Sequence, residues 1–186
     1  MQQAQGSALR LGYASPIGCT SNVRLYRNHK MFWEEKIDIF KKQHSSSDFR
    51  VPFSDWPEIL KNIENRFVLK EKDSYSFRNW ADRIKNKELV IEASLSEVQE
   101  LIEKLNKSQN YWIVLPLGQE PTTKLMVYDS KPSVILEIAS KSRSDFFIVE
   151  KKYSWFTYFN CDRETNMLNI YKSGSNVIPF EEVKTT

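Results

Sequence analysis

The chain has 186 residues and a mass of 21.9 kDa; 40% of the residues are hydrophobic, 13% aromatic and 27% charged, with only 5 glycines and 7 prolines. This composition excludes a disordered chain and a collagen-like or glycine-rich repeat, and the length predicts one domain whose core needs no disulfide or metal. The formal net charge is +3 at pH 7, which raises the question of where the positive charge lies.

Residues 1–30, here called the leader, carry that positive charge. They hold 4 of the 27 basic residues and none of the 24 acidic residues, so residues 31–186 have a formal charge of −1. We interpret the leader as an extension outside the folded core, with Met31 as the natural start; a targeting peptide and an ordered arm are the alternatives. Residues 31–186 are then a single domain, and its near-neutral charge disfavours binding to a phosphate backbone.

We expect deletion of residues 1–30 to leave stability unchanged, because the leader has no sustained apolar period. Thermal melts of the full chain and of a chain starting at Met31 test this. A fall in Tm of more than about 4 °C, roughly 1 kcal/mol for a domain of this size, would place the leader in the core.

The first part of the domain is predicted to be helical. Apolar residues at helical spacing predict a helix over Phe32–Gln43, followed by a polar loop over residues 44–48. A second helix is predicted to begin at Asp55, with Pro57 in its first turn and Glu58 completing a capping box. A third, shorter helix is predicted over Tyr75–Lys85.

After residue 87 the pattern alternates between strands and helices. One helix begins with a Ser94 and Glu97 capping box, and another covers Ser130–Ser142. The predicted strands are Glu88–Glu92, Tyr111–Leu117, Lys124–Asp129, Phe146–Glu150, Tyr153–Asn160 and Met167–Lys172, the last ending at Ser173 and Gly174. The fold class is therefore α+β: N-terminal helices followed by a largely antiparallel sheet (β-α-β-β-α-β-β-β), with helices mainly on one face.

The strand Tyr153–Asn160 is predicted to lie at the centre of the core. Its aromatic residues fall on both faces, with Tyr153, Trp155 and Phe159 on one side and Phe156 and Tyr158 on the other. Such a strand needs a covering layer on each face.

Most catalytic and cofactor motifs are missing. After the leader, Gly118 and Gly174 are the only glycines and His44 is the only histidine, so a glycine-rich phosphate loop cannot be built. The scarcity of Cys and His disfavours a zinc site and a Cys161–His44 nucleophile pair, and we predict no catalytic, cofactor or metal site. Few cysteines and no secretion signal or membrane-spanning run indicate a cytoplasmic protein with no membrane partner.

Two other functional classes stay open. The β-α-β-β-α-β order over Glu88–Glu150 is that of a ferredoxin-like RNA-binding sheet, so a nucleic-acid-associated module using sheet aromatics is one alternative. An enzyme with an unrecognised carboxylate site is the other.

The segment Phe146–Trp155, with the sequence FFIVEKKYSW, carries a resemblance. It is similar to the FYIVDKKYxW-type hairpin of an uncharacterised family of small bacterial proteins, some of which resemble immunity proteins encoded beside polymorphic toxins. The similarity covers Trp112–Asn160 and departs after Trp155, where the chain leads to Cys161 instead of a His-containing turn. The resemblance implies a non-enzymatic protein that binds and neutralises a toxin.

The predicted partner-binding residues are Lys151, Lys152 and Tyr153 at the tip of this hairpin, together with Arg143 and Asp145 before it. We expect them to form one exposed edge that combines charge with aromatic area. A solvated turn with no partner is the alternative interpretation.

Overall fold

The computed structural model describes residues 32–53, 55–69, 77–117, 124–141, 144–162, 164–165 and 167–175, so the leader lies outside the described residues. The described helices are α1 (Phe32–Gln43), α2 (Trp56–Phe67), α3 (Phe77–Asp82), α4 (Leu95–Glu103) and α5 (Pro132–Lys141). The strands are β1 (Phe49–Arg50), β2 (Glu88–Ala93), β3 (Tyr111–Leu117), β4 (Lys124–Ser130), β5 (Phe146–Val149), β6 (Trp155–Cys161) and β7 (Leu168–Gly174). The predicted α+β class is confirmed.

All seven strands form one sheet in the order β1-β4-β3-β5-β6-β7-β2, and every neighbouring pair is antiparallel. The sheet is therefore antiparallel as predicted, but the ferredoxin-like order is wrong. In that order the first strand lies in the sheet interior, whereas β2 is an edge strand that pairs only with β7 among the described strands. Strand β7, the last described strand in the sequence, is the one that pairs with β2.

Helices cover both faces of the sheet, which corrects the expectation of helices mainly on one face. Helices α1, α4 and α5 bury side chains against one face, and we call this the first core. Helices α2 and α3 bury side chains against the opposite face, in the second core. The sheet is rich in aromatic residues on both sides, so each side needs its own apolar layer.

The interior strands β5 and β6 supply rings to both cores. Phe146 stacks on Phe159 in the first core with ring centroids 4.5 Å apart, and Phe147 stacks on Tyr158 in the second core at 4.8 Å. Directly paired residues share a face in an antiparallel ladder, so the register produces both stacks. The alternation predicted for Trp155, Phe156, Tyr158 and Phe159 is confirmed, but these rings are buried and do not form an open stacking platform.

One of the two predicted capping boxes forms. Ser94 and Glu97 cap α4 reciprocally, and the hydrogen bonds from Ser94 lower the pKa of Glu97. The box predicted at α2 is wrong: the Asp55 side chain makes no capping bond, and the Glu58 amide donates to the Asp55 backbone carbonyl at 3.0 Å. Pro57, in the first turn, has no N–H that a capping side chain could bind. The first turn of α2 is therefore closed by the backbone bond from Glu58 to Asp55.

The ends of β6 and β7 differ from the prediction. Tyr153 has a φ of 56° and lies in a turn, and its side chain packs against the second core instead of sharing a face with Trp155. Strand β7 continues through Gly174, which pairs with Trp155 at a φ of 102°. A Cβ at this position would lie 2.3 Å from the Ser154 carbonyl oxygen, so glycine is what lets the strand continue.

Candidate functional site

The hairpin tip, residues 150–154, is fixed by one carboxylate. Glu150 Oε2 accepts hydrogen bonds from the Lys152 amide at 2.8 Å and the Ser154 hydroxyl at 3.0 Å. The Tyr153 amide donates to the Glu150 carbonyl at 2.8 Å. These bonds close the turn with Tyr153 in its left-handed conformation, so the tip holds its side chains in defined positions.

Lys151 folds back onto the sheet. Its ammonium lies 2.6 Å from Asp129 Oδ1 and 4.4 Å from the centroid of the Trp112 ring. Trp112 on β3 pairs with Asp129 on β4 and with Val149 on β5. Val149 directly precedes the tip, so these three residues form a row across the sheet that ends at the tip. Asp129 is only 2% exposed, and Lys151 serves as a counter-ion for a buried carboxylate.

Arg50 holds the other oxygen of the same carboxylate. Its Nη2 lies 2.8 Å from Asp129 Oδ2, and its Nη1 donates to the Ser46 carbonyl at 3.2 Å. Arg50 pairs directly with Asp129 across the β1–β4 ladder. Two cations therefore meet on one carboxylate, and the three side chains together carry a charge of +1.

Phe53 covers the guanidinium of Arg50. The centroid of its ring lies 4.2 Å from Arg50 Cζ, and 87% of the residue is exposed, the largest exposure of any large apolar residue in the described part of the chain. A phenylalanine stacked on an arginine and open to solvent is held in place without being part of the core. Together, Arg50, Phe53, Trp112, Asp129 and Lys151 are here called the carboxylate cluster.

A shallow groove of about 680 Å³ lies beside the tip, between it and α2. We call it the tip groove; it is lined by Asn62, Asn65, Arg66, Lys152, Tyr153, Ser154 and Ser175. Lys152 and Arg66 are exposed, one on each side of the groove. The tip groove offers charge and hydrogen-bonding groups on rigid elements.

A second groove, also of about 680 Å³, lies over the first half of α2. Its apolar lining includes Trp56, Trp80 and Leu125, and charges of both signs surround it, among them Glu58 and Lys124. No residue predicted from the sequence to bind a partner lines it.

The predicted exposed edge is not assembled as expected. Asp145 lies at the opposite end of β5 from the tip, where Oδ2 accepts from the Tyr158 hydroxyl at 2.8 Å and Oδ1 from the Cys161 amide at 2.8 Å. Burial, and then the adjacent Asp145 carboxylate, raises the pKa of Tyr158. Asp145 thus ties β5 to β6, and the length of β5 separates it from Lys151. Arg143 lies outside the described residues.

Of the five predicted residues, the structure brings together Lys151, Lys152 and Tyr153. Sequence analysis missed the contact between Arg50 and Asp129, because it depends on pairing between β1 and β4 across 79 positions of the chain. It also missed the local stacking of Phe53 on Arg50, which no periodic pattern indicates. The signal that could have found Asp129 is its polarity within the apolar strand β4.

His44, considered above as a partner for Cys161, contacts a carboxylate. Its Nε2 lies 2.8 Å from Glu137 Oε2, between α1 and α5. Within the described ranges, no group of three or more His, Cys, Asp or Glu side chains is placed to hold a metal ion. Among the helices that the structure describes, none is long and apolar enough to cross a membrane.

Comparison with known proteins identifies a family but no named relative. No curated protein and no solved structure matches the chain significantly. Residues 35–173 match a family of unknown function, DUF6756, and this stretch contains both the carboxylate cluster and the predicted partner-binding residues. The chain therefore belongs to the DUF6756 family.

Proposed function

We propose that this protein is a non-enzymatic binding protein that recognises an acidic surface of another protein through its hairpin tip. The observation that carries the proposal is the placement of Lys152 and Arg66 along the tip groove, next to Lys151, which shares the Asp129 carboxylate with Arg50. Of the nearby acids, Asp129 is buried and Glu150 is used to close the turn. The exposed charges that line the tip groove, those of Lys152 and Arg66, are positive, which favours an acidic partner.

Rigidity supports a binding role for the tip. The Glu150 hydrogen bonds and the Lys151–Asp129 ion pair hold the turn before any partner arrives. A preorganised surface loses less conformational entropy on association than a mobile one, so more of the contact energy is retained as affinity.

A protein is the favoured partner over a nucleic acid for two reasons. Residues 31–186 carry a formal charge of −1, so the domain lacks the overall positive charge that drives binding to a phosphate backbone. The sheet aromatics that could stack on bases, such as Phe147 and Phe159, are buried in the two cores.

The similarity of the hairpin Phe146–Trp155 to immunity-type proteins supports a narrower form of the proposal. In that form the partner is a bacterial toxin, which the protein neutralises in the cytoplasm by covering its surface. Genes neighbouring the coding sequence test this form: a large toxin gene directly upstream supports it, and a setting among RNA-processing genes contradicts it.

Reversing two exposed charges tests the binding role. In the double variant Lys152→Glu, Arg66→Glu we expect association with the partner to slow by about tenfold and to lose much of its salt dependence, because both side chains line the tip groove. The partner is first captured from the native host with wild-type protein and identified, and association rates are then measured at low and high salt. Lys42→Glu, an exposed reversal on α1, is the matched control.

Thermal melts of both variants separate binding from folding, and we expect each Tm to match that of the wild type. Retention of no specific protein, together with salt-sensitive binding of single-stranded RNA to the wild type, would overturn the proposal in favour of a nucleic-acid module.

A further inference from the structure

We propose that the carboxylate cluster is the anchor for one acidic side chain of the partner, flanked in the partner by an apolar residue that covers Phe53. This inference rests on the proposed function and names the chemistry that its surface recognises. The anchor joins the tip groove directly, because Lys151 belongs to the cluster and the next residue, Lys152, lines the groove.

The cluster carries one more positive charge than negative charge. Arg50 and Lys151 each contact one oxygen of Asp129, so one negative charge faces two positive ones. Both cations are also partly open to solvent, with side-chain exposures of 29% and 34%. A single carboxylate placed beside them neutralises the remaining charge, in a setting less screened than open water because Asp129 is buried.

Two hydrogen-bond donors in the cluster have no acceptor in the described part of the chain. Arg50 Nε and Trp112 Nε1 are both buried and have no hydrogen-bond acceptor among the described residues. Asp129 Oδ1 contacts the Lys151 ammonium as an ion pair without hydrogen-bond geometry. Buried N–H groups without acceptors are rare in folded proteins, because each one loses its hydration without compensation. A carboxylate has two acceptor oxygens, and the guanidinium of Arg50 suits carboxylate geometry.

Phe53 provides the contact for the apolar residue of the partner. Its ring lies over the Arg50 guanidinium and shields one face of it, while the outer face of the ring stays in water. An apolar residue of the partner packed on that outer face would bury the ring and exclude water from the ion pairs beneath it. Exposed aromatic residues beside arginine are typical of the residues that dominate binding energy.

The anchor is tested with defined peptides. An acetylated and amidated peptide of sequence Gly-Glu-Leu-Gly is titrated into isotope-labelled full-length protein, beside its Gly-Gln-Leu-Gly counterpart. We expect the acidic peptide to shift the NMR signals of the Trp112 indole N–H and the Arg50 Nε–H, and to bind at least about tenfold more tightly than the neutral one. Equal binding of the two peptides, or no shift at either N–H, would overturn the anchor.

Variants assign the effect to the named side chains. Phe53→Ala, at a position 87% exposed, should weaken binding of the acidic peptide by about tenfold and leave Tm unchanged. Arg50→Lys keeps the charge but loses the planar guanidinium that can donate two parallel hydrogen bonds, so it should also weaken binding of the acidic peptide. Leu89→Ala, at a 56% exposed position on the far edge strand β2, is the matched control and should bind as wild type. Wild-type affinity in both anchor variants would contradict the proposal.

The anchor and the proposed function fail in different ways. A captured partner that loses affinity with Lys152→Glu, Arg66→Glu but binds Phe53→Ala and Arg50→Lys as wild type leaves the proposed function standing and overturns the anchor. Specific binding of the acidic peptide without any protein partner at the tip supports the anchor and overturns the proposed function. Tighter binding of a uridine oligonucleotide than of the acidic peptide at the same N–H groups overturns both.

Discussion

Replacing Trp155 with alanine is expected to lower the free energy of unfolding by about 3 to 5 kcal/mol. Trp155 is 5% exposed, and its ring centroid lies 5.7 Å from that of Tyr111 within the first core. It sits on the interior strand β6, whose pairing to β5 and β7 leaves little freedom for neighbours to fill the space. The loss is that of a buried indole together with the cavity it leaves.

Urea denaturation measures this effect, with the slope of unfolding compared between variants to verify that only stability has changed. Leu89→Ala is the control, because a surface truncation of this kind usually changes the free energy by less than about 0.5 kcal/mol. A loss below about 1 kcal/mol for Trp155→Ala would contradict the burial of the indole and make it available to a partner.

The local elements could be predicted because each carries its own periodic pattern. Helix α1 begins and ends at the predicted Phe32 and Gln43, and strand β3 at the predicted Tyr111 and Leu117. Strand β1 was not predicted because two residues are too few for any period to show. Strand β7 continues past its predicted end at Lys172, because pairing with Trp155 outweighs the breaking tendency of Gly174.

The arrangement of the sheet could not be predicted from local pattern. The sequence order β-α-β-β-α-β suggests a ferredoxin-like sheet, and the observed pairings of β3 with β5 and of β7 with β2 exclude it. Likewise, Lys151 looks like an exposed turn residue until β4 and β3 bring Asp129 and Trp112 beneath it. The local sequence thus predicts the hairpin tip, whereas the long-range pairing of the strands determines which of its two lysines is available to bind a partner.

Charge reversal at the two adjacent lysines of the tip is expected to change stability by very different amounts. Lys151→Glu places a second carboxylate beside Asp129, which is 2% exposed, and removes one of its two counter-ions. We expect this to lower the free energy of unfolding by on the order of 3 kcal/mol, since a buried charge loses a partner and gains a repulsive neighbour. Lys152→Glu changes an exposed side chain whose backbone amide, not its ammonium, holds the turn. Its expected effect is within about 0.5 kcal/mol.

The comparison is made by urea denaturation of both single variants, with Lys151→Met as a third. The methionine side chain keeps much of the aliphatic packing over Trp112 and removes only the charge. The loss in free energy of unfolding for Lys151→Met should therefore lie between the losses for Lys151→Glu and Lys152→Glu. Arg50 still holds Asp129 in every variant, which keeps the protein folded and the measurement possible. Equal stability of Lys151→Glu and Lys152→Glu would show that the Lys151–Asp129 pair contributes nothing to folding. It follows that the tip's binding role is to be tested through Lys152 and Arg66, because reversing Lys151 alters the fold that presents them.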